Sequence, residues 1–280
     1  MSKNSFAVFI VTYGRPNEQI TLETLRKQGY TGDIYAIVDN TDDTVEQLKK
    51  EHYNEFKDII VFDKEEYYKN TDTMDNFHNL KTVVYARNFC LDIAKKLNLE
   101  YFMMTDDDMK TVSFRMVKDN KLIGKKVKSL DKVFKAMLKL LDNKQIYCLG
   151  FGNAGSYIGG LNGKYKKKMD IGSYNVYFLK NGDMRFRGTS DEDATFYVDN
   201  VKIGNMCYLV LDVGYDSYER GSNKGGLSEM YKELGTYVRS FYAVIANPAV
   251  FKLYLRKNKF EIKKSSNSIA PKLLNERWKK

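Results

Sequence analysis

Apolar and polar positions alternate along the first hundred residues in blocks that change period. Phe6–Thr12 is a continuous apolar run broken by Gly14-Arg15-Pro16, which reads as a buried strand ending in a turn. Residues Asn17 to Gln28 then place Ile20, Leu22 and Leu25 at helical spacing, and Gly29 stops the pattern. Asp33–Asp39 predicts a second strand, Thr44–Phe56 a second helix, and Asp58–Asp63 a third strand. Thr82–Leu97 is an amphipathic helix by its apolar spacing, and Glu100–Thr105 a strand that runs straight into Asp106-Asp107-Asp108. Strands alternating with helices at these intervals predict right-handed β-α-β units and an α/β fold with a mainly parallel sheet flanked by helices.

Beyond the aspartates the periods shorten. Val112–Lys121 predicts a strand or hairpin, and Leu130–Leu141 a helix with Val133, Phe134, Met137, Leu138 and Leu141 on one face. Gln145–Phe151, Tyr174–Leu179, Phe196–Asn200 and Cys207–Val213 read as short strands, a smaller mixed β region. Met230–Asn247 returns to helical spacing before Pro248. With three prolines in 280 residues and no repeat or low-complexity tract, the expectation is one continuous domain over 1–251 and a basic C-terminal extension over 252–280.

Composition removes several classes of function. No run of eighteen apolar residues could span a bilayer, and the N-terminal residues do not resemble a secretory signal. The expected compartment is therefore the cytoplasm. Cys90, Cys148 and Cys207 are too few and too scattered for a disulfide scaffold. His52 and His78 leave little for histidine-based metal or nucleophile chemistry, so carboxylates must carry the chemistry.

Charge is segregated. The net +10 divides into −7 over residues 1–109, +9 over 110–251 and +8 over 252–280. An acidic half joined to a basic half suits a cation and a polyanion as separate partners, although a lysine-rich surface alone would give the same excess.

Ligands of open parallel sheets bind at the carboxyl ends of the strands. Thr12 to Arg15, Asp39, Asp63 and Asp106 to Asp108 fall there. Asp106 and Asp108 share a face of an extended segment, and such a pair suits Mg²⁺ or Mn²⁺ together with diphosphate oxygens; the plain alternative is an acidic loop. An aspartyl-phosphate loop does not fit, because Lys110 occupies the place of its threonine. A second acidic turn, Ser190 to Asp193, follows Arg185 and Arg187 and could set Asp193 or Glu192 beside an acceptor as general base. The two arginines could equally serve only to balance that turn. Arg15 and Arg87 have the planar fork that suits phosphate or a nucleobase, and Gly14 permits close backbone approach. Arg87 could otherwise be a surface ion-pair residue.

The runs from Val8 to Asp39, VFDK at 61–64, ARN at 86–88, MMTDDDM at 103–109, SDEDATF and GGLSEMY resemble the GT-A nucleotide-sugar glycosyltransferases. More narrowly, they are similar to the phage TET-associated glycosyltransferases of modified DNA bases. The resemblance implies a GT-A-like (Rossmann-like) fold with a nucleotide-sugar half over 1–109 and an acceptor half over 110–251. It also implies a donor, in the first instance a UDP-sugar, held by Thr12, Gly14, Arg15, Asp39, Arg87, Asp106 and Asp107, with Asp108 and Asp106 on Mn²⁺ or Mg²⁺. Asp193, with Glu192 as second choice, would be the base. The implied acceptor is a 5-hydroxymethylpyrimidine in double-stranded DNA of a phage-infected bacterium.

Arg185, Arg187, Lys224, Lys257, Lys263 and Lys264 are the candidate DNA contacts. A histidine that often completes the metal site of such enzymes has no counterpart here, and Asp212, Asp216, Asn223 or water would have to replace it. Three other readings stand beside this one: transfer to surface polysaccharide or protein, an inactive nucleic-acid-binding protein, and a metal nuclease.

Overall fold

The computed structural model describes residues 6–119, 121–142, 146–153, 169–171, 176–180, 182–218, 236–256 and 259–265. The acidic half builds the predicted alternation: β1 (Phe6–Val11), α1 (Ile20–Lys27), β2 (Ile34–Asp39), α2 (Val45–Glu51), β3 (Asp58–Phe62), α3 (Lys64–Lys69), α4 (Val84–Lys96) and β4 (Tyr101–Asp106). β1 pairs in parallel with β2 on one side and β4 on the other, and β3 pairs in parallel with β2. The strand order therefore reverses at β1, and the crevice outside the ends of β1 and β4 is where this sheet type holds ligands. α3 lacks a clear apolar period and is absent from the sequence expectation. Asp63, one of the strand-end candidates, is its N-cap and accepts from the Glu66 amide at 3.1 Å.

The rest of the sheet is mixed. It comprises β5 (Met109–Lys118), β6 (Lys121–Lys126), β7 (Ile146–Asn153), β8 (Met169–Ile171), β9 (Tyr177–Lys180) and β10 (Met206–Ser217). The order across the sheet is β3-β2-β1-β4-β9-β7-β10-β5-β6, with β8 paired to β10. β10 runs parallel to β7 and antiparallel to β5. The helices of this half are α5 (Leu130–Leu141), α6 (Glu192–Lys202) and α7 (Thr236–Ala246).

Two expectations need correction. Phe196–Asn200 is helix α6, not strand: Phe196, Tyr197, Val198, Asn200 and Val201 are all buried, and a run apolar on every side cannot be told from a buried strand by period. The Ser190–Asp193 segment is likewise the head of α6 rather than a surface turn. Across the expected boundary at 251/252, Phe251–Arg256 (β11) and Lys259–Lys264 (β12) pair as an antiparallel hairpin, and Phe251 joins the core.

The sheet has a core on each face, and β1 shows why. Ala7 and Phe9 point into the cluster under α4 and α6, while Val8 and Ile10 point into the one under α1 and α5. α5 buries Leu130, Val133, Phe134, Met137 and Leu141, each worth about 1.5–3 kcal/mol over exposure for a large side chain. Phe134→Ala alone would cost about 3–5 kcal/mol.

Candidate active site

The loop after β4 is fixed by α1. Thr21 donates its amide to the Asp107 carbonyl at 3.0 Å and its hydroxyl to the Asp106 carbonyl at 2.7 Å, and it accepts from the Met109 amide at 2.9 Å. β4 ends at Asp106, and Asp107 and Asp108 form the turn into β5. Asp107 is buried, whereas Asp106 and Asp108 are partly exposed. Asp107 accepts from Thr12 Oγ1 at 2.7 Å and pairs with Arg15. Gln19 Nε2 reinforces that corner, donating to Thr12 Oγ1 at 3.1 Å and to the Arg15 carbonyl at 2.9 Å. Thr12, Arg15 and Asp107 thus bind each other, and their geometry is that of a brace under the loop.

Burial and the neighbouring Asp108 and Asp193 charges raise the Asp106 carboxyl above its ordinary range, with Arg87 opposing. Asp108 is raised by burial and by Asp107, with Arg15 opposing. Two oxygen donors crowded by like charge suit a hard divalent ion. Among the described residues no group of three or more His, Cys, Asp or Glu side chains is placed to hold a metal ion. His52 bonds to Glu55 and the Pro16 carbonyl, and His78 to Glu65. Asp216 pairs with Arg115 at 3.5 Å, and Asn223 lies outside the described residues.

Arg87 is not a surface residue. It is 2% exposed on α4, with Nε donating to Glu192 Oε1 at 2.9 Å and Nη2 3.4 Å from Asp106 Oδ1. Its guanidinium lies 5.1 Å from the Tyr177 ring centre and 5.9 Å from that of Phe186. Burial works against its charge, yet Tyr177, Asp106, Glu192 and Asp193 together raise its proton affinity.

The head of α6 is built to present acids. Asp191, its N-cap, holds φ at +52° and accepts from Arg239 Nε of α7 at 2.7 Å. Left-handed backbone costs a non-glycine residue about 1–2 kcal/mol, and the ion pair offsets that. Gly188, three residues earlier, has φ +92°, a left-handed backbone that would strain any other residue. Glu192 is buried, and its carboxyl is pushed up to about 7 by burial, with Arg87 opposing and Asp193 adding to the shift. Asp193 stands partly exposed beside it.

At the end of β2, Asp39 is buried and pairs with Lys64 Nζ at 2.6 Å; Lys64 also lies over the Tyr13 ring. Gly14, at φ +66°, donates its amide to Asp42 Oδ2 at 2.7 Å and has open space where a Cβ would stand. Lys64, Asp42, Thr21, Gln19 and Arg239 were missed in the sequence. Lys64 carried a usable signal, since it follows the end of β3; Asp42, Thr21 and Arg239 act through contacts distant in the chain, and Gln19 through contacts four and seven residues away.

Four of the six candidate DNA contacts fall among the described residues. Arg185 donates to Asp92 Oδ1 at 2.6 Å, and Arg187 grips Asp199 at 2.6 and 3.0 Å. Lys263 is exposed on β12, and Lys264 lies 4.6 Å from the Tyr197 ring centre. Lys224 and Lys257 fall outside the described residues. No helix among the described residues is long and apolar enough to cross a membrane.

The family model for TET-associated glycosyltransferases matches residues 6–226. A search of curated proteins found no match. Among solved structures, glucosyl-3-phosphoglycerate synthase from Mycobacterium tuberculosis with phosphoglyceric acid is 10% identical, at TM-score 0.50, over 94% of this chain and 87% of that one. The same enzyme with Mn²⁺, UDP and phosphoglyceric acid gives 11% identity and TM-score 0.47 over 94% and 87%. S. aureus TarS 1–349 gives 14% identity and TM-score 0.47 over 76% of this chain, which spans 60% of that fragment. The fold is that of the GT-A glycosyltransferases.

Proposed function

Because the chain belongs to the TET-associated glycosyltransferase family, we propose that this glycosyltransferase moves a sugar from a UDP-sugar to the hydroxyl of a 5-hydroxymethylpyrimidine in duplex DNA, in the cytoplasm of a phage-infected bacterium, with the aid of Mn²⁺ or Mg²⁺. The observation that carries the reading is Arg87, which joins the end of β4 to the head of α6. One buried guanidinium holds a donor-side carboxylate, Asp106, and an acceptor-side one, Glu192, in a single frame.

In this reading Asp39, Gly14 and Lys64 line the nucleoside end of the crevice. Asp106 and Asp108 hold the dication, which when bound neutralises charge on the leaving diphosphate. Thr12, Arg15 and Asp107 keep that loop in place. Asp193, partly exposed at the head of α6, takes the proton of the acceptor hydroxyl. The freed oxygen bonds to the anomeric carbon as the bond from that carbon to the diphosphate oxygen breaks, and the diphosphate leaves with the electron pair. Glu192 is buried on Arg87, so its part is to orient the guanidinium. The +17 formal charge of residues 110–280 supports a polyanionic acceptor.

The test is incubation with Mn²⁺, a panel of UDP-sugars and duplexes carrying hydroxymethylcytosine, hydroxymethyluracil or neither, read by nucleoside mass spectrometry. A mass gain of one sugar on a hydroxymethylated base is expected. Donor hydrolysis with no gain on any duplex would remove the DNA acceptor, and transfer undiminished by a chelator would remove the metal.

A further inference from the structure

The two arginines expected to meet DNA are occupied by carboxylates of the protein itself, and the unbalanced charge lies elsewhere. From Lys110 to Lys128 the chain has seven basic residues and one acidic. Lys110, Lys118, Lys125, Lys126 and Lys128 are exposed. This stretch is the β5–β6 hairpin, at the open edge of the sheet.

The hairpin overhangs that edge. β10 pairs with β5 only as far as Phe114, whereas β5 and β6 go on pairing from Arg115 with Gly124 to Lys118 with Lys121. The four residues past Phe114 carry the paired strands about 13 Å beyond the last β5–β10 pair, and β8 takes the same side of β10 from Val210 to Tyr208. Lys125 lies opposite Phe114 and Lys126 opposite Ser113, so as neighbours on one strand they lie on opposite faces. Lys126 lines a groove of about 260 Å³ with Lys27, Lys110 and Glu23 of the adjoining α1. β5 begins at Met109, directly after Asp108, which makes the ribbon continuous with the acidic loop. Arg115 is about 23 Å along the strand from Asp108, less than the roughly 34 Å of one duplex turn.

Resting on the DNA acceptor proposed above, we infer that the β5–β6 hairpin docks a DNA duplex, its lysines on backbone phosphates. A ribbon with lysines on both faces suits the major groove of B-DNA, about 12 Å wide and walled by phosphate on both sides. A flat anionic surface would meet only one face of it. Lysine at a bare sheet edge also blocks edge-to-edge pairing with a second copy.

The experiment compares the full chain with a Lys118→Ala, Lys125→Ala, Lys126→Ala variant by fluorescence anisotropy on a short duplex between about 50 and 200 mM salt. Thermal unfolding checks that the exposed substitutions leave the fold intact. Affinity should fall at least tenfold, and the slope of log K against log salt should shrink by about 2 to 3. The matched triple Lys→Arg variant should keep both. If the wild type binds duplex and the Ala variant binds equally well with the same slope, the hairpin assignment alone is wrong. If the wild type binds no duplex, the DNA acceptor fails and takes this inference with it. Lysine-dependent capture by phosphatidylglycerol vesicles without duplex binding overturns the inference in favour of a membrane surface.

Discussion

Arg87 Nε and Glu192 Oε1 lie 2.9 Å apart, although 105 residues separate them in the chain. Both side chains are buried, and the same guanidinium reaches Asp106. The contact ties α4, α6 and the acidic loop into one unit.

Arg87→Met leaves Glu192 and Asp106 without their cation. Removing one partner of a buried pair costs about 3–5 kcal/mol, and urea unfolding at pH 8 should show a loss of that size. Adding Glu192→Gln should recover part of it, because the uncompensated charge goes too. A double variant as unstable as the sum of the single changes would show that the two groups are not coupled.

Glu192 also makes stability depend on pH. Its carboxyl rises from 4.5 to about 7 in the folded protein, which therefore holds the proton more tightly than the unfolded chain does. That contribution is complete below about pH 4.5 and is lost as pH rises through about 7, a span worth up to about 3 kcal/mol. Unfolding free energies without divalent ions should decline across this window, and Glu192→Gln should flatten the decline.

Asp108→Asn removes one of two oxygen donors from the loop. Transfer measured by mass spectrometry should fall by roughly 10²-fold or more, the range for loss of one electrostatic group at a reacting centre. Duplex binding by anisotropy should stay within twofold of wild type.

Asp193→Asn takes away the proton acceptor, and kcat should fall by about 10²–10⁴-fold. The donor KM should change little, because the loss is confined to the transition state. Near-normal turnover would remove Asp193 from that role.

Asp39→Asn weakens the charged end of the nucleoside pocket without touching the reacting atoms. The donor KM should rise roughly tenfold or more with kcat nearly kept, as expected when a hydrogen bond to a charged group worth about 1.5–3 kcal/mol is lost.

Deleting 252–280 as a disposable basic tail would be a poor test of DNA binding. The deletion strips β11 and β12, whose Ser265 amide donates to the Val250 carbonyl and whose Phe260 carbonyl accepts from Ser240 of α7. Shortening the chain after Ser265 avoids that damage.

The parallel half was legible because β1, β2 and β4 are largely buried and read as continuous apolar runs, with helices of clear period between them. Val8 to Asp39 and Tyr101 to Asp108 lie as the pattern predicts. α6 was misread because Ala194 to Val198 is buried without a break, which hides the helical period. α3 is a single charged turn and half with no apolar stripe to betray it.

By itself the sequence determined which acids stand at the ends of which strands, since strand ends follow from local period and turn residues. Only the tertiary structure decided which charges remain available. Arg15 is committed to Asp107, Arg185 to Asp92 and Arg187 to Asp199, while Lys110, Lys118, Lys125 and Lys126 of the β5–β6 hairpin stay exposed. Whether a charge is spent internally or offered to a partner depends on what folds against it, and those neighbours lie too far along the chain for any local pattern to record.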